Sequence, residues 1–430
     1  MMKTRSRAML SVVACLTAAV LIASGCGSGG GSSTAPGLTK TSVLIGSHQP
    51  LTGPAAPGYS EIAPAAKAFF KYLNSQGGVN GRKINLIYKD DGYNPTNTVN
   101  VVKQLVLQNK VFAIWGGLGT PTHTKVVDFL NSEKVPDLFV SSGCPCWDDG
   151  TKHPYTFGWQ PNYTIEGKIL GNYIKQKFAG KKVAVFYQDD DFGQGGLTGL
   201  KQQLGGQIVA AKPYQPTVTN VAPQITAIQK SGAQVLVDFS IPAFTALERL
   251  TSFKLGYKPQ LVVSNVGIDP TTVGGLLKSF SKGKADTALI EGAITDAYLP
   301  PPTDNSNGWI QLFKKIHDQY DAKAPFDGNV EYGMASAYTF AQALKNAGKN
   351  PSRQDLVDAV EKGGFTGPGL VPFRYSKTVH GGYGGGQIAT IKNGAIVTQG
   401  QPMVTDPGSG QITVSNMKQA QPGDNGVVKP

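Results

Sequence analysis

Short β-branched runs alternate with stretches whose apolar residues recur at helical spacing. Ser42–Ser47 predicts the first strand, and Glu61–Leu73 puts Ile62, Ala65, Ala66, Phe69, Phe70 and Leu73 on one helical face. Strands follow at Ile84–Tyr88, Val111–Trp115 and Asp137–Val140, with helices at Thr98–Leu107 and Lys125–Leu130. The rhythm restarts after Pro161. Helices are predicted at Glu166–Phe178, Gly196–Leu204, Ala222–Lys230 and Phe244–Phe253, between strands Val183–Tyr187, Gln207–Ala211, Val235–Phe239 and Leu261–Ser264. Such alternation implies right-handed crossovers and parallel sheets covered on both faces. Two series imply an α/β protein of two doubly wound parallel-sheet lobes. Helices at Trp309–Tyr320, Glu331–Ala347 and Arg353–Glu361 must return to pack on one of them, and the Gly-, Pro- and Gln-rich tail after Met403 has little to bury.

The 430 residues are 40% hydrophobic and 16% charged, enough apolar material for large cores and too little charge for wholesale disorder. The net charge of +12 comes from lysines scattered among Gln, Asn and Thr, with no basic stripe and no arginine-rich arm, which argues against a nucleic-acid partner. The only long apolar stretch is N-terminal, which excludes a polytopic membrane protein.

That stretch reads as an export signal over residues 1–25: basic Met1–Arg7, then apolar Ala8–Ala23. Leu21-Ile22-Ala23-Ser24-Gly25-Cys26 resembles the lipobox of bacterial lipoproteins, with Cys26 the expected lipidation site. Residues 26–41 then form the lipidated Cys and a Gly/Ser tether, holding the chain to an extracytoplasmic membrane face, periplasmic or outer, through the lipid alone. Cys15 is removed in this scheme, which leaves Cys144 and Cys146 as Cys-Pro-Cys. They can pair as a disulfide, stay free, or take a metal with His153. An oxidising compartment favours pairing, and three candidates are too few for a closed zinc site.

Ligands of open parallel sheets sit beyond the carboxyl ends of strands. Those ends (His48–Gly53, Asp90–Tyr93, Gly116–Thr122, Ser141–Cys146, Gln188–Gly193, Ser240–Ala243, Asn265–Asp269) are rich in Gly, Ser, Thr and amides. They suit a small polar molecule better than acid–base catalysis. No nucleophile elbow, phosphate loop or His-Glu-x-x-His pair occurs, so neither an enzyme nor a cofactor is expected. Gly116-Gly117-Leu118-Gly119-Thr120 reads as a tight turn into a helix start, and Asp189-Asp190-Asp191 as a solvated turn. His123 and His317 read as surface or packing residues, and His380 falls in a flexible Gly-rich segment.

Ile45–Ala56, Asn74–Pro95, Val111–Thr122 and Val183–Lys201 together resemble the type I periplasmic binding proteins, specifically the branched-chain amino acid binding branch of ABC importers. The resemblance spans residues 42 to about 400. It implies three hinge crossovers between the lobes, the first lobe formed by 42–160 and 297–378, the second by 161–296 and 379–430. It implies a monomer that closes on a small solute and hands it to permease subunits. An extracytoplasmic ligand sensor of the same fold is the alternative. The implied ligand contacts are Leu118, Gly119 and Thr120, then Ser142, Gly143 and Cys144, with Phe192, Asn265 and Val266 from the second lobe. The ends of two further strands add Gln49 and Ile241. Amino-acid binders place an acid near Ser264–Gly267 against the ligand ammonium. Neither Asn265 nor Val266 is acidic, so either Asp238 or Asp269 compensates or the ligand lacks an ammonium. On those two residues leucine is expected to bind more weakly than an amine-free acid or amide.

Overall fold

The computed structural model describes residues 35–423. The expected signal segment and Cys26 lie outside them. No helix among the described residues is long and apolar enough to cross a membrane.

The first sheet is all parallel: β1 (Ser42–Gln49), β2 (Lys83–Asp90), β3 (Ala113–Trp115), β4 (Asp137–Val140) and β5 (Thr156–Gly158), in the order β2-β1-β3-β4-β5. The second holds β6 (Val183–Gln188), β7 (Ile208–Tyr214), β8 (Val235–Phe239), β9 (Gln260–Val263), β10 (Ile294–Ala297), β11 (Gly385–Lys392), β12 (Ala395–Thr398), β13 (Met403–Val404) and β14 (Thr413–Val414). Here β7-β6-β8-β9-β10 run parallel, and β11 closes the edge antiparallel to β10. β4 and β8 are buried at every residue, as expected for strands covered on both faces. The helices Gly308–Tyr320 and Gly328–Asn346 return to pack on Ile62–Ser75 of the first lobe, where Phe69 meets Phe313 and Tyr338 edge to face.

The chain passes between the lobes at residues 159–162, after Ala297 and before Gly385. These passages meet in one aromatic cluster, with Trp159, Tyr298 and Tyr383 centred 5.3–6.0 Å apart. The Tyr383 N–H donates to the Trp159 carbonyl, and the Leu370 N–H to the Tyr298 carbonyl.

Three sequence expectations need correction. The helix expected from Gly196 begins at Asp191, and its glycines are contact points. A Cβ on Gly196 would lie 2.2 Å from the Phe239 ring. His380 is neither flexible nor exposed. It stacks on Phe157 at 3.7 Å, and its Nδ1 donates to the Thr156 carbonyl. The tail after Met403 is tied down by its backbone rather than by apolar burial, and it does not stay with the second lobe. The carbonyls of Asp406, Gly408 and Gly410 all accept from the buried Lys168 ammonium at 2.7–2.9 Å. Farther on, the Ala420 carbonyl accepts from the Trp309 indole on a first-lobe helix.

Candidate functional site

A cavity of about 140 Å³ lies between the lobes at the carboxyl ends of their strands. One water needs about 10–15 Å³ of such space, so the cavity suits a small molecule. The lobes already touch across it. The Tyr59 hydroxyl donates to the Val266 carbonyl at 2.6 Å, Gln188 Nε2 to the Tyr93 hydroxyl at 3.2 Å, and Asn329 Nδ2 to Thr272 Oγ1 at 3.1 Å.

Of the residues expected to meet a ligand, Leu118, Gly119, Thr120, Phe192, Ile241, Asn265 and Val266 line this cavity. Gly119 has φ of 103°, and a Cβ there would lie 2.5 Å from the Tyr93 ring, so this turn admits only glycine. The helix it opens, Thr120–His123, is only four residues long. The Leu118 and Gly119 N–H groups donate to the His48 and Ser141 carbonyls. The expected amide-rich anion cradle is therefore largely used up inside the fold. What remains at this wall is the Thr120 hydroxyl, paired with Ser142 Oγ at 2.6 Å. Phe192 is fixed by Asp190, whose carboxylate caps its helix, and packs 4.5 Å from Tyr163. That capping role, not solvation, explains one member of the Asp189–Asp191 run.

Gln49, Ser142, Gly143 and Cys144 do not line the cavity; they stand behind its wall. Gln49 Nε2 donates to the Gly116 carbonyl at 2.7 Å and props up the turn. The Gly143 carbonyl accepts from the Tyr163 N–H. Cys144 is buried in a disulfide with Cys146. Among the described residues, the single cluster of metal-binding atoms is Cys144, Cys146 and Asp191, and its two sulfurs are bonded to each other; His153 stands elsewhere, beside Asp128.

Sequence reasoning missed two of the cavity's three acids, Asp296 and Glu331. Asp269, Asp296 and Glu331 line the cavity, and no Lys, Arg or His does. Asp269 was one of two compensating candidates. The other, Asp238, lies in the second-lobe core near Glu248 and Arg249 and does not line this cavity. Asn265 Nδ2 donates to Glu166 Oε1 at 2.9 Å and to both Asp296 oxygens at 3.2 Å. Burial pushes the Asp296 carboxyl up to about 6, and pushes Glu166 well above the usual carboxylate range with Asp296 adding to it. Burial raises Glu331 likewise, reinforced by Asp327 and Asp269. Asp327, behind Glu331, is pushed up to about 7 by burial and then by Asp269. Glu331 Oε1 is buried without a hydrogen-bond partner. Asp296 was missed because β10 is only four residues and carries polar Thr295 and Asp296 where an apolar run would mark a strand. Glu331 sits in the first turn of its helix, where an acid reads as ordinary dipole compensation.

Two parallel-sheet lobes, three crossings and a cavity at the strand ends define the class of two-lobed extracytoplasmic solute-binding proteins. The profile of that class, described as periplasmic binding protein, matches residues 42–395, and the chain belongs to this family. It is 25% identical over 375 residues to a Leu/Ile/Val-binding protein homolog 1 of Brucella suis, covering 81% of this chain and 94% of that protein. Among solved structures, a branched chain amino acid ABC transporter protein from Thermus thermophilus with bound valine superposes with a TM-score of 0.75 at 19% identity, covering 86% of this chain and 98% of that one. A fatty acid ABC transporter substrate-binding protein from Thermomonospora curvata gives 0.74 at 23%, covering 87% and 95%. At those identities the structural likenesses establish the fold. Family members capture small solutes outside the cytoplasm and work with ABC permeases, and substrate-binding proteins of this kind are not enzymes.

Proposed function

We propose that this protein is a lipid-anchored solute receptor of an ABC importer and that its solute is an amino acid with an apolar side chain. The observation that carries the reading is the charge of the cavity: three carboxyls and no base among its lining. An ammonium is the natural partner of buried carboxyls, which are otherwise costly. The hydroxyl of Thr120, braced from behind by Ser142 Oγ, stands ready for the carboxylate, and Phe192, Tyr163 and Ile241 for the apolar part. This departs from the expectation of an amine-free ligand, which rested on Asn265 and Val266 not being acidic, and takes up the other branch, compensation by Asp269, with Asp296 and Glu331 beside it in the lining. The name of the Brucella relative points the same way.

Calorimetry of leucine against its deaminated keto acid tests the reading. Losing a charged hydrogen bond costs about 1.5–3 kcal/mol, so the keto acid is expected to bind at least about tenfold more weakly. Tighter binding of the keto acid would overturn the proposal. Closure is read on the same samples by small-angle scattering. Leucine should reduce or hold the radius of gyration at the closed value, because cross-lobe bonds such as Tyr59 to Val266 need both lobes together.

The anchor is tested separately. Cys26→Ala should shift the protein from the membrane to the soluble fraction or leave the signal uncleaved. A mature wild-type chain starting at an unmodified residue other than Cys26 would remove the lipid from the proposal.

A further inference from the structure

Beneath the ligand turn, four titratable side chains form an unbroken chain that takes no part in the contacts above. Asp91 Oδ2 lies 2.8 Å from His48 Nδ1, His48 Nε2 lies 2.9 Å from His123 Nδ1, and His123 Nε2 lies 2.7 Å from Asp137 Oδ2. All four are buried. Around them, Asp91 also accepts from the Tyr93 N–H and the Thr98 hydroxyl, Asp137 accepts from the Thr156 hydroxyl, and the Trp147 ring packs edge-on to His123. The next charged groups outward are His153, beside Asp137, and Lys152, Asp128 and Asp149 around His153.

Three hydrogen bonds need three protons. Two neutral imidazoles bring only two. With both carboxylates ionised, two neutral rings would leave a bare lone pair facing another somewhere along the chain. One additional proton closes it, leaving a net charge of one on four groups. Burial pushes His48 down. The neutral ring is then His48, donating from Nδ1 to Asp91 and accepting at Nε2. His123 carries two ring protons, one given to His48 and one to Asp137.

The ligand turn rests on this chain. A Cβ on Gly117 would lie 2.6 Å from both His48 Nε2 and His123 Nδ1, the two atoms that share the central bond. The His48 carbonyl accepts from the Leu118 N–H, and the His123 N–H donates to the Gly119 carbonyl. We propose that Asp91, His48, His123 and Asp137 form a proton-holding clasp that fixes the Gly116–Thr120 turn in its binding shape only while the chain carries three protons. Removing one sets two nitrogen lone pairs against each other at the central contact. Adding one sets two N–H groups against each other. In either case the rings part beneath Gly117 and the turn loosens. The histidines are positioning residues: they touch the turn and not the solute.

Nitrogen NMR of ¹⁵N-histidine in the whole mature protein counts the ring protons directly. At neutral pH one ring should show two N–H groups and its partner only Nδ1–H. Two singly protonated rings would overturn the proposal. Amide exchange at Leu118 and Gly119, corrected for the intrinsic pH dependence of exchange, should be slowest at neutral pH. It should speed up about tenfold or more on both the acid and alkaline sides, as loss of a charged hydrogen bond implies. A flat profile would also overturn it. In Asp137→Asn the amide N–H can donate to His123 Nε2, so two neutral rings complete the chain. The alkaline limb should vanish and the acid limb persist. Persistence of the alkaline limb would exclude the clasp as its origin. The ring count in the wild type decides the matter even if that variant folds poorly. No solute is used, so the result stands apart from the identity of the ligand.

Discussion

Glu331→Gln should weaken leucine binding by about tenfold or more at mildly alkaline pH, leave keto-acid binding nearly unchanged, and raise the melting temperature of the empty protein. All three effects follow from a buried carboxyl that is costly when empty and useful when filled. Glu331 lines the cavity with an unpartnered Oε1, and burial, then Asp327 and Asp269, raise its affinity for a proton. Asp296 and Asp327 stand at about 6 and about 7 for related reasons. Their folded values exceed the unfolded value near 4, so the folded protein holds protons that the unfolded chain has released. The stability this supplies is fully present below the unfolded value and is lost as pH rises through about 6 to 7. The empty protein should melt progressively lower across that window. An ammonium in the cavity favours the ionised carboxyls, so leucine affinity should rise over the same window. Melting curves with and without leucine at its two ends read both trends. A leucine affinity that falls with rising pH would remove the carboxyls from the site.

What was legible in the sequence divides along physical lines. Val235–Phe239 and Arg353–Glu361 were found to the residue because a fully buried strand and an amphipathic helix each leave a periodic trace. β5, of three residues, and β10, with its polar pair, leave none, and both edge the crossings that build the cavity. The ligand turn was legible from its glycines, but not that its amides are already used. The clasp was illegible for a different reason. His48 and His123 are 75 positions apart, and each alone reads as an ordinary packing histidine; only the adjacency of β2 to β1, of β1 to β3 and of β3 to β4 brings Asp91, His48, His123 and Asp137 into line. Of the acids, Asp269 was legible as a compensating candidate, whereas Asp296 on a four-residue strand and Glu331 as a first-turn acid each have a routine local reading.

Gly199→Ala should destabilise the protein by about 3 kcal/mol, although alanine is the better helix former by about 1 kcal/mol. Gly199 lies within the helix Asp191–Leu204, which presses backbone to backbone on the helix Tyr163–Lys177. A Cβ there would stand 2.2 Å from the Thr164 carbonyl oxygen and 2.7 Å from the Lys168 nitrogen. Gly167 faces back in the same way, its Cβ position 2.3 Å from the Gly196 carbonyl oxygen. Neither neighbour is a flexible side-chain tip, so the helices must separate. Their first turns carry Tyr163 and Phe192, the aromatic pair of the cavity wall, so separation should also weaken leucine binding. Gly275, inside the helix Pro270–Phe280, has nothing within 4 Å of its Cβ position. Gly275→Ala should therefore stabilise by up to about 1 kcal/mol through propensity alone. Denaturant unfolding of the two variants side by side separates close packing from helix propensity. Equal and favourable effects would show that the two helices have room to spare, and the glycines of the 191–204 helix would then need another explanation.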